Sequence, residues 1–253
     1  MTFSAGRSGQ AARDLDPWDG VLLVDKPAGM TSHDVVDRIR RTFRIRKVGH
    51  GGTLDPMATG LLIILLGRGT RLSNDIMGAD KVYEGSMHLG ITTNSEDVDG
   101  AVTGTADFSG VTREGVEAEM KKWLGDVQQI PPMVSAIKKD GVPLYKLARK
   151  GQEIVREPRW LHIFEFALLD FAPPRVSFRL HCSKGTYVRT LCADIGRALG
   201  CGAHLADLRR TQSGTFLLAK AIPLRDLLAL KPDDVLPHII PAHTLRAPIR
   251  PAP

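Results

Sequence analysis

The chain has 253 residues, of which 43% are hydrophobic and 25% charged, as expected for a soluble globular protein with one large core. Its longest apolar run, residues 61–66, is far shorter than the roughly 20 residues of a membrane helix, and the N-terminus lacks a signal-peptide core, so the sequence predicts a cytoplasmic protein. The formal net charge of +6 and the isoelectric point near 9.4 favour a polyanionic partner.

The N-terminal half begins with residues 1–17, whose Gly, Ser, Ala and charged residues predict a flexible tail. "GVLLVDKPAG", from residue 20, predicts a buried strand that ends in a Pro-Gly turn. Thr31 followed by Asp34 predicts a capping box at the start of a helix. The apolar residues of this helix share one face, and its cations lie outside that face.

The next stretch, "KVGHGGTLDPMATG" at residues 47–60, places one carboxylate, Asp55, among four glycines, a proline and a histidine. "LLIILL" follows it directly and predicts a second buried strand. In "KVYEGSMHLG", residues 81–90, one set of residues alternates with another as in a strand with two unlike faces: Tyr83, Gly85, Met87 and Leu89 on one, and Val82, Glu84, Ser86 and His88 on the other.

In the C-terminal half, "TREGVEAEMKKWLG" predicts a helix closed by Gly125. Residues 126–159 are basic and rich in proline with no sustained period, which suggests a mobile surface insertion. Residues 175–200 predict an alternating strand, a Lys-Gly turn and a helix that stops at Gly200. A short helical stretch at 224–230 precedes the Pro-rich end "RAPIRPAP". This irregular order of strands and helices predicts an α+β fold rather than a doubly wound one.

Two segments are strongly basic. "RIRRTFRIRK" at 38–47 holds six cations and no acid, and a second cluster runs from residue 137 to 159. Each can be a phosphate-binding surface or only a solvated face, and composition leaves both readings open.

The motifs exclude several chemistries. The chain has no dinucleotide fingerprint, phosphate loop, HExxH or GxSxG, and its three cysteines fit neither a disulfide framework nor a zinc site, which predicts free thiols in the core. Asp55 is therefore the candidate for chemistry, although an aspartate before proline can also only cap a turn.

Five ordered blocks resemble the bacterial TruB family of tRNA pseudouridine-55 synthases over roughly residues 18–220. They are "DKPAGMTSHDVV", "KVGHGGTLDPMATGLLIILLGRGT", "KVYEGSMHLGITTNSEDVDG", "QIPPMVSAIKKDGVPLYKLARKG" and "CSKGTYVRTLCADIGRALGCGAHLADLRRTQSGTF". The resemblance implies a central mixed, mostly antiparallel sheet flanked by helices, with a basic thumb-like insertion. It also implies an isomerase that converts uridine-55 in the T-loop of tRNA to pseudouridine, without metal, nucleotide or organic cofactor.

The same resemblance implies the catalytic residues. Asp55 matches the essential aspartate, as nucleophile at C1′ of the ribose or C6 of the base. Arg189 matches the arginine beside it, and such an ion pair is expected to orient the carboxylate and to lower its pKa. Tyr83 matches the active-site tyrosine that stacks on the base, with a role in proton transfer.

Four further positions match substrate-binding or supporting residues. His50 matches a histidine that fills the space left by the flipped base, offsetting part of a cost of a few kcal/mol. Tyr187 and Leu208 match pocket-lining positions, and Lys26 lies in a segment that supports the catalytic loop.

The implied domain division is a tail at 1–17, a catalytic domain at 18–230 with an RNA-gripping insertion at 126–159, and a short tail at 231–253. The family's PUA-type RNA-binding domain is apparently absent. The expected partner is the T-arm of tRNA, and a monomer is the default. An alternative is an RNA-binding folding helper (RNA chaperone) that acts on tRNA without catalysis.

Overall fold

The computed structural model describes residues 16–133, 138–139, 142–143 and 154–245. The strands are β1 (Gly20–Lys26), β2 (Val48–His50), β3 (Thr59–Leu66), β4 (Lys81–Leu89), β5 (Ile91–Thr93), β6 (Val102–Thr105), β7 (Gly125–Gln129), β8 (Lys138–Lys139), β9 (Val142–Pro143), β10 (Arg159–Ala172), β11 (Arg175–Cys182), β12 (Ala203–Ser213), β13 (Phe216–Leu217), β14 (Ile222–Pro223) and β15 (Ile239–Pro241). The α-helices are α1 (Ser32–Phe43), α2 (Ser73–Gly78), α3 (Arg113–Lys121), α4 (Val188–Ala198), α5 (Leu224–Ala229) and α6 (Pro232–Val235).

One large sheet organises the molecule. Its strands run in the order β14, β1, β3, β12, β4, β11, β10, β7. Three more strands pair off this order: β15 with β1, β2 with β3, and β13 with β12. The pairings β14–β1 and β3–β12 are parallel, whereas the others along this order are antiparallel. The predicted α+β fold with a mixed, mostly antiparallel sheet is confirmed.

The sheet is buried on both faces around β3, since alternate residues of "LLIILL" enter different cores. Leu62 and Ile64 pack with α1 and α4 in the larger core, and Leu61 and Ile63 pack with α2 in the smaller one. A strand covered on both faces needs a continuous apolar run, and this run supplies it.

Several local predictions are confirmed. Thr31 caps α1, and Asp34 completes the capping box. The helix at 188–198 ends just before Gly200, which has a positive φ of 78°. The three cysteines are free and buried, and burial raises the pKa of the Cys182 thiol to about 12.

Other predictions differ from the structure. Helix α3 ends at Lys121, and Gly125 begins β7 instead of closing the helix. The first residues of the predicted insertion belong to the sheet, because β7 pairs with β10 across Arg159↔Gln129 to Ile163↔Gly125. The predicted C-terminal tail contains α6 and β15, and β15 adds to the edge of β1.

Three predicted features fall largely or wholly outside the described residues. They are the flexible N-terminal tail except residues 16–17, the central part of the 126–159 insertion (residues 134–153 except 138–139 and 142–143), and the Pro-rich end.

Candidate active site

Asp55 lies in the loop that joins β2 to β3, and the backbone of this loop is fixed along its length. The amide of Gly51 donates to the Ile63 carbonyl at 2.8 Å, and that of Ala58 donates to the carbonyl of Asp55 at 3.1 Å. The Ser32 hydroxyl at the start of α1 accepts from the Leu54 amide at 2.9 Å and lies 3.1 Å from the Leu54 carbonyl. The residue before the carboxylate is therefore tied to the first turn of α1.

Lys26 is joined to the Asp55 loop and to the turn after β1 through bonds to backbone carbonyls. It is fully buried, and its ammonium donates to the carbonyls of Pro27, Met30 and Pro56 at 2.8, 2.7 and 3.1 Å. Burial lowers its pKa to about 8, while the nearby charge of Asp55 acts in the opposite direction. These contacts tie Lys26 to the turn and to the residue after Asp55, and its supporting role stays a prediction.

Arg210 is a second buried cation under the loop, and the sequence analysis did not single it out. Its side chain, 1% exposed, donates to the carbonyls of Leu61 at 2.7 Å, Gly52 at 3.1 Å and Thr53 at 3.4 Å. Gly60 allows the backbone of Arg210 to lie close to β3. Its φ is +95°, and a Cβ there would lie 2.4 Å from the Arg210 carbonyl oxygen. Strand β12 thus holds the Asp55 loop through one guanidinium.

Asp55 faces Arg189 across the site. The Arg189 Nε lies 3.9 Å from Oδ2 of Asp55, and its Nη1 lies 3.4 Å from Oδ2 of Asp97. The side chains of Arg189 and Asp97 are 4% and 5% exposed, whereas that of Asp55 is 37% exposed. Arg189 is thus a buried cation between two carboxylates, and only Asp55 opens towards solvent.

The pKa of Asp55 differs in direction from the expectation. Burial raises it above the ordinary value, Arg189 opposes this effect, and the charges of Asp97 and Asp99 add to the increase. The expectation of a lowered pKa was therefore wrong for the net effect. The physical reason is that loss of solvation outweighs an ion pair whose atoms stand 3.9 Å apart.

Asp97 is also a residue that sequence reasoning missed, although it lies in the quoted block "NSEDVDG". The Thr93 hydroxyl donates to its carbonyl at 2.7 Å, and the Asp99 amide donates to its Oδ1 at 3.2 Å. These bonds fix the carboxylate that fixes Arg189. In the sequence, Asp97 lies in a polar, acidic segment typical of an exposed turn. Nothing in that pattern marks it as the partner of a buried arginine.

Tyr83 lies on β4 with its ring 8% exposed in the larger core. It pairs in register with Arg210 of β12, and a hydrogen bond with that side chain also acts on its phenol. Burial is the main cause that raises the pKa of Tyr83 to about 12, so the phenol is neutral at physiological pH.

His50 is half-buried at the end of β2, and its Nδ1 is buried without a hydrogen-bond partner in the described part of the chain. Burial lowers its pKa, and the charges of Arg210 and His33 act in the same direction. The ring is thus neutral five residues before Asp55, with a polar atom that a ligand could satisfy.

Tyr187 and Leu208 complete the predicted set. The Tyr187 backbone is clamped by buried Gln129, whose Oε1 accepts from its amide at 2.9 Å and whose Nε2 donates to its carbonyl at 3.0 Å. The Arg189 guanidinium lies 5.8 Å from the centroid of the Tyr187 ring. Leu208 is 6% exposed in the larger core, and its carbonyl accepts from the Thr59 hydroxyl at 3.4 Å.

Within the described segments, no group of three or more His, Cys, Asp or Glu residues is arranged to hold a metal ion. None of the helices described is both long and apolar enough to span a membrane.

Comparison with known proteins places this architecture in a family. Residues 40–188 match the model of the TruB family pseudouridylate synthase N-terminal domain, and residues 189–252 match that of the tRNA pseudouridylate synthase B C-terminal domain. A relative from Opitutus terrae named tRNA pseudouridine synthase B is 52% identical over 225 residues, covering 89% of this chain and 93% of the relative. A relative of the same name from Syntrophotalea carbinolica is 51% identical over 85% of this chain and 71% of the relative.

Among solved structures, a chain from a Cbf5-Nop10-Gar1 complex superposes with a TM-score of 0.70 at 31% identity. The match covers 89% of this chain and spans 61% of the length of that chain. The mixed sheet, the fixed aspartate loop and these matches define the class of the protein as a pseudouridine synthase, an isomerase. Within that class, the chain belongs to the TruB family.

Proposed function

We propose that this protein isomerises uridine-55 in the T-loop of tRNA to pseudouridine, with Asp55 as the nucleophile. The observation that carries the proposal is the partly exposed Asp55 carboxylate on a fixed loop, 3.9 Å from a buried arginine. The names of the relatives, which specify tRNA, support the substrate class.

The reaction exchanges one bond of the uridine for another. The bond between C1′ and N1 breaks, the base turns, and a bond from C1′ to C5 forms, while C5 loses its hydrogen to solvent and N1 gains a proton. A carboxylate that adds to C1′ or to C6 of the base allows this exchange and is released unchanged. In either case Asp55 must be ionised, and Arg189 favours that form.

The remaining residues act on the base and its surroundings. A uridine in a folded loop must leave its stack before Asp55 can reach it, and the His50 ring fills the vacated space. Tyr83 stacks on the flipped base, and its neutral phenol can hold or pass a proton. Tyr187 and Leu208 line the pocket. A cytoplasmic location and a monomeric state stay predictions.

Release of tritium from a T-arm stem-loop labelled at C5 of uridine tests the proposal. The native protein is compared with Asp55→Asn, and binding of the same RNA is followed in parallel. We expect turnover by the native protein, and tight binding without release by the variant. Binding by both proteins with release by neither would instead favour the folding helper.

A further inference from the structure

Five exposed cations lie within residues 38–47, in the second half of α1 and the link to β2, and the proposed chemistry does not use them. Two lie on α1 and three in the link that follows it, and we call this group the α1–β2 basic edge. It consists of Arg38, Arg41, Arg44, Arg46 and Lys47. Over the described residues, no carboxylate forms an ion pair with any of the five. Asp37 of α1 pairs instead with Arg40 and His33.

The backbone under the basic edge is held in place. Phe43 and Ile45 are buried in the larger core, and the amide of Ile45 donates to the carbonyl of Arg40 at 3.2 Å. The Arg40 guanidinium donates to the Val48 carbonyl at 3.2 Å, and the Lys47 carbonyl accepts from Gly67 at 2.9 Å. The cations therefore project from a rigid base, which reduces the entropy lost when they bind a ligand.

The chain on either side of the basic edge leads to the Asp55 loop. Strand β2 begins directly after Lys47 and ends at His50, and the Asp55 loop follows. At the other end, the first residue of α1, Ser32, is bonded to Leu54 of the same loop. Arg38 lies six residues, or about 9 Å of helix, from Ser32, so an RNA that places a nucleotide beside Asp55 is long enough to reach the basic edge with its flanking backbone.

Helix stability explains only part of this charge. Cations in the last turn of a helix interact favourably with its dipole, typically by about 0.3–1 kcal/mol, and this accounts for Arg41. It does not account for Arg46 and Lys47, which lie beyond the helix. Unpaired like charges also repel one another, so a polyanion would lower the energy of this surface.

We propose that the α1–β2 basic edge binds backbone phosphates of the RNA that flank the target nucleotide. The inference rests on the proposed function, since it assumes that the same RNA enters the active site. The contacts are with phosphates rather than base edges, so they set affinity and orientation without reading sequence.

The test compares two triple variants that remove the same charge. The first is Arg38→Gln/Arg41→Gln/Lys47→Gln, within the basic edge. The matched control is Lys121→Gln/Lys220→Gln/Lys231→Gln, three exposed lysines on other elements. Binding of a T-arm stem-loop is titrated from 50 to 200 mM salt, KM and kcat are measured by tritium release, and thermal unfolding checks that both variants fold.

Loss of three phosphate contacts lowers the slope of log affinity against log salt by about 2, taking about 0.7 for each contact. The native protein should then lose roughly 20-fold more affinity than the edge variant over this fourfold range of salt. The edge variant should also raise KM at least about tenfold while kcat stays nearly unchanged. The control variant should keep a KM and a salt slope close to those of the native protein.

Equal salt slopes for the two triple variants would overturn the proposal, because a general effect of net charge would then explain the binding. An edge variant with native affinity would overturn it as well. If the native protein binds the RNA without turnover, the proposed function fails, and the binding titration still decides the role of the basic edge.

Discussion

Replacement of Arg210 by methionine tests whether one guanidinium holds the Asp55 loop. The substitution keeps much of the side-chain volume but removes the donors to Leu61, Gly52 and Thr53. Arg210 is 1% exposed, so water cannot easily take the place of these donors.

The magnitude follows from the hydrogen bonds. The Leu61 carbonyl loses a buried donor at 2.7 Å and the Gly52 carbonyl a partly buried one at 3.1 Å, and an unsatisfied buried acceptor costs about 1–3 kcal/mol, with a partly buried one at the lower end. The bond to Thr53, at 3.4 Å, is long and adds little. Removal of a buried charge recovers part of this cost. We expect a net loss of about 3 kcal/mol, or roughly 6–12 °C in Tm.

The control is Arg209→Met, the same substitution at the neighbouring position of β12. The Arg209 side chain is 43% exposed and pairs with Asp25 at 2.6 Å, so we expect a loss of at most about 1 kcal/mol. Both variants are measured by denaturant unfolding and by tritium release, and a loop displaced by about 1 Å in Arg210→Met should lower kcat about 100-fold. A loss of stability in Arg209→Met as large as in Arg210→Met would refute the reasoning.

The remaining predictions concern the charges of the site and the hydrogen bond between Ser32 and Leu54. The kcat/KM of the native enzyme, which reports the pKa of the free enzyme, should fall on the acid side at a pH above the ordinary aspartate value of 3.8, because burial raises the pKa of Asp55 and the nucleophile must be ionised. Asp97→Asn should move this acidic limb to lower pH, since the Asp97 charge raises the Asp55 pKa, and should lower Tm because buried Arg189 loses the nearer carboxylate. Ser32→Ala should cost about 1–2 kcal/mol and reduce kcat, since the Leu54 amide loses its acceptor.

Each of these predictions has an outcome that contradicts it. Full activity maintained down to pH 4 would contradict a raised pKa for Asp55. An acidic limb that stays in place or moves up in Asp97→Asn would show that this carboxylate does not act on the nucleophile. For the hydrogen bond between Ser32 and Leu54, the control is Ser177→Ala on β11. Equal losses of stability and kcat in the two serine variants would contradict the role given to Ser32.

The local elements of this fold were predictable because their signals lie within a few residues of one another. Thr31 and Asp34 are three positions apart and cap α1 as predicted. The continuous run in β3 and the positive φ at Gly200 follow from side-chain hydrophobicity and glycine's freedom in the same way. Gly125 was misread because a strand start and a helix stop use the same residue.

The sequence by itself therefore determined most of the elements, the family resemblance and Asp55 as the candidate residue for chemistry. Only the tertiary structure brought Arg189 between Asp55 and Asp97, and placed Arg210 under the loop, because the pairing of distant strands and helices sets these contacts. It also decided the direction of the Asp55 pKa. That direction is a balance between lost solvation and one ion-pair distance, and both depend on every atom packed around the carboxylate.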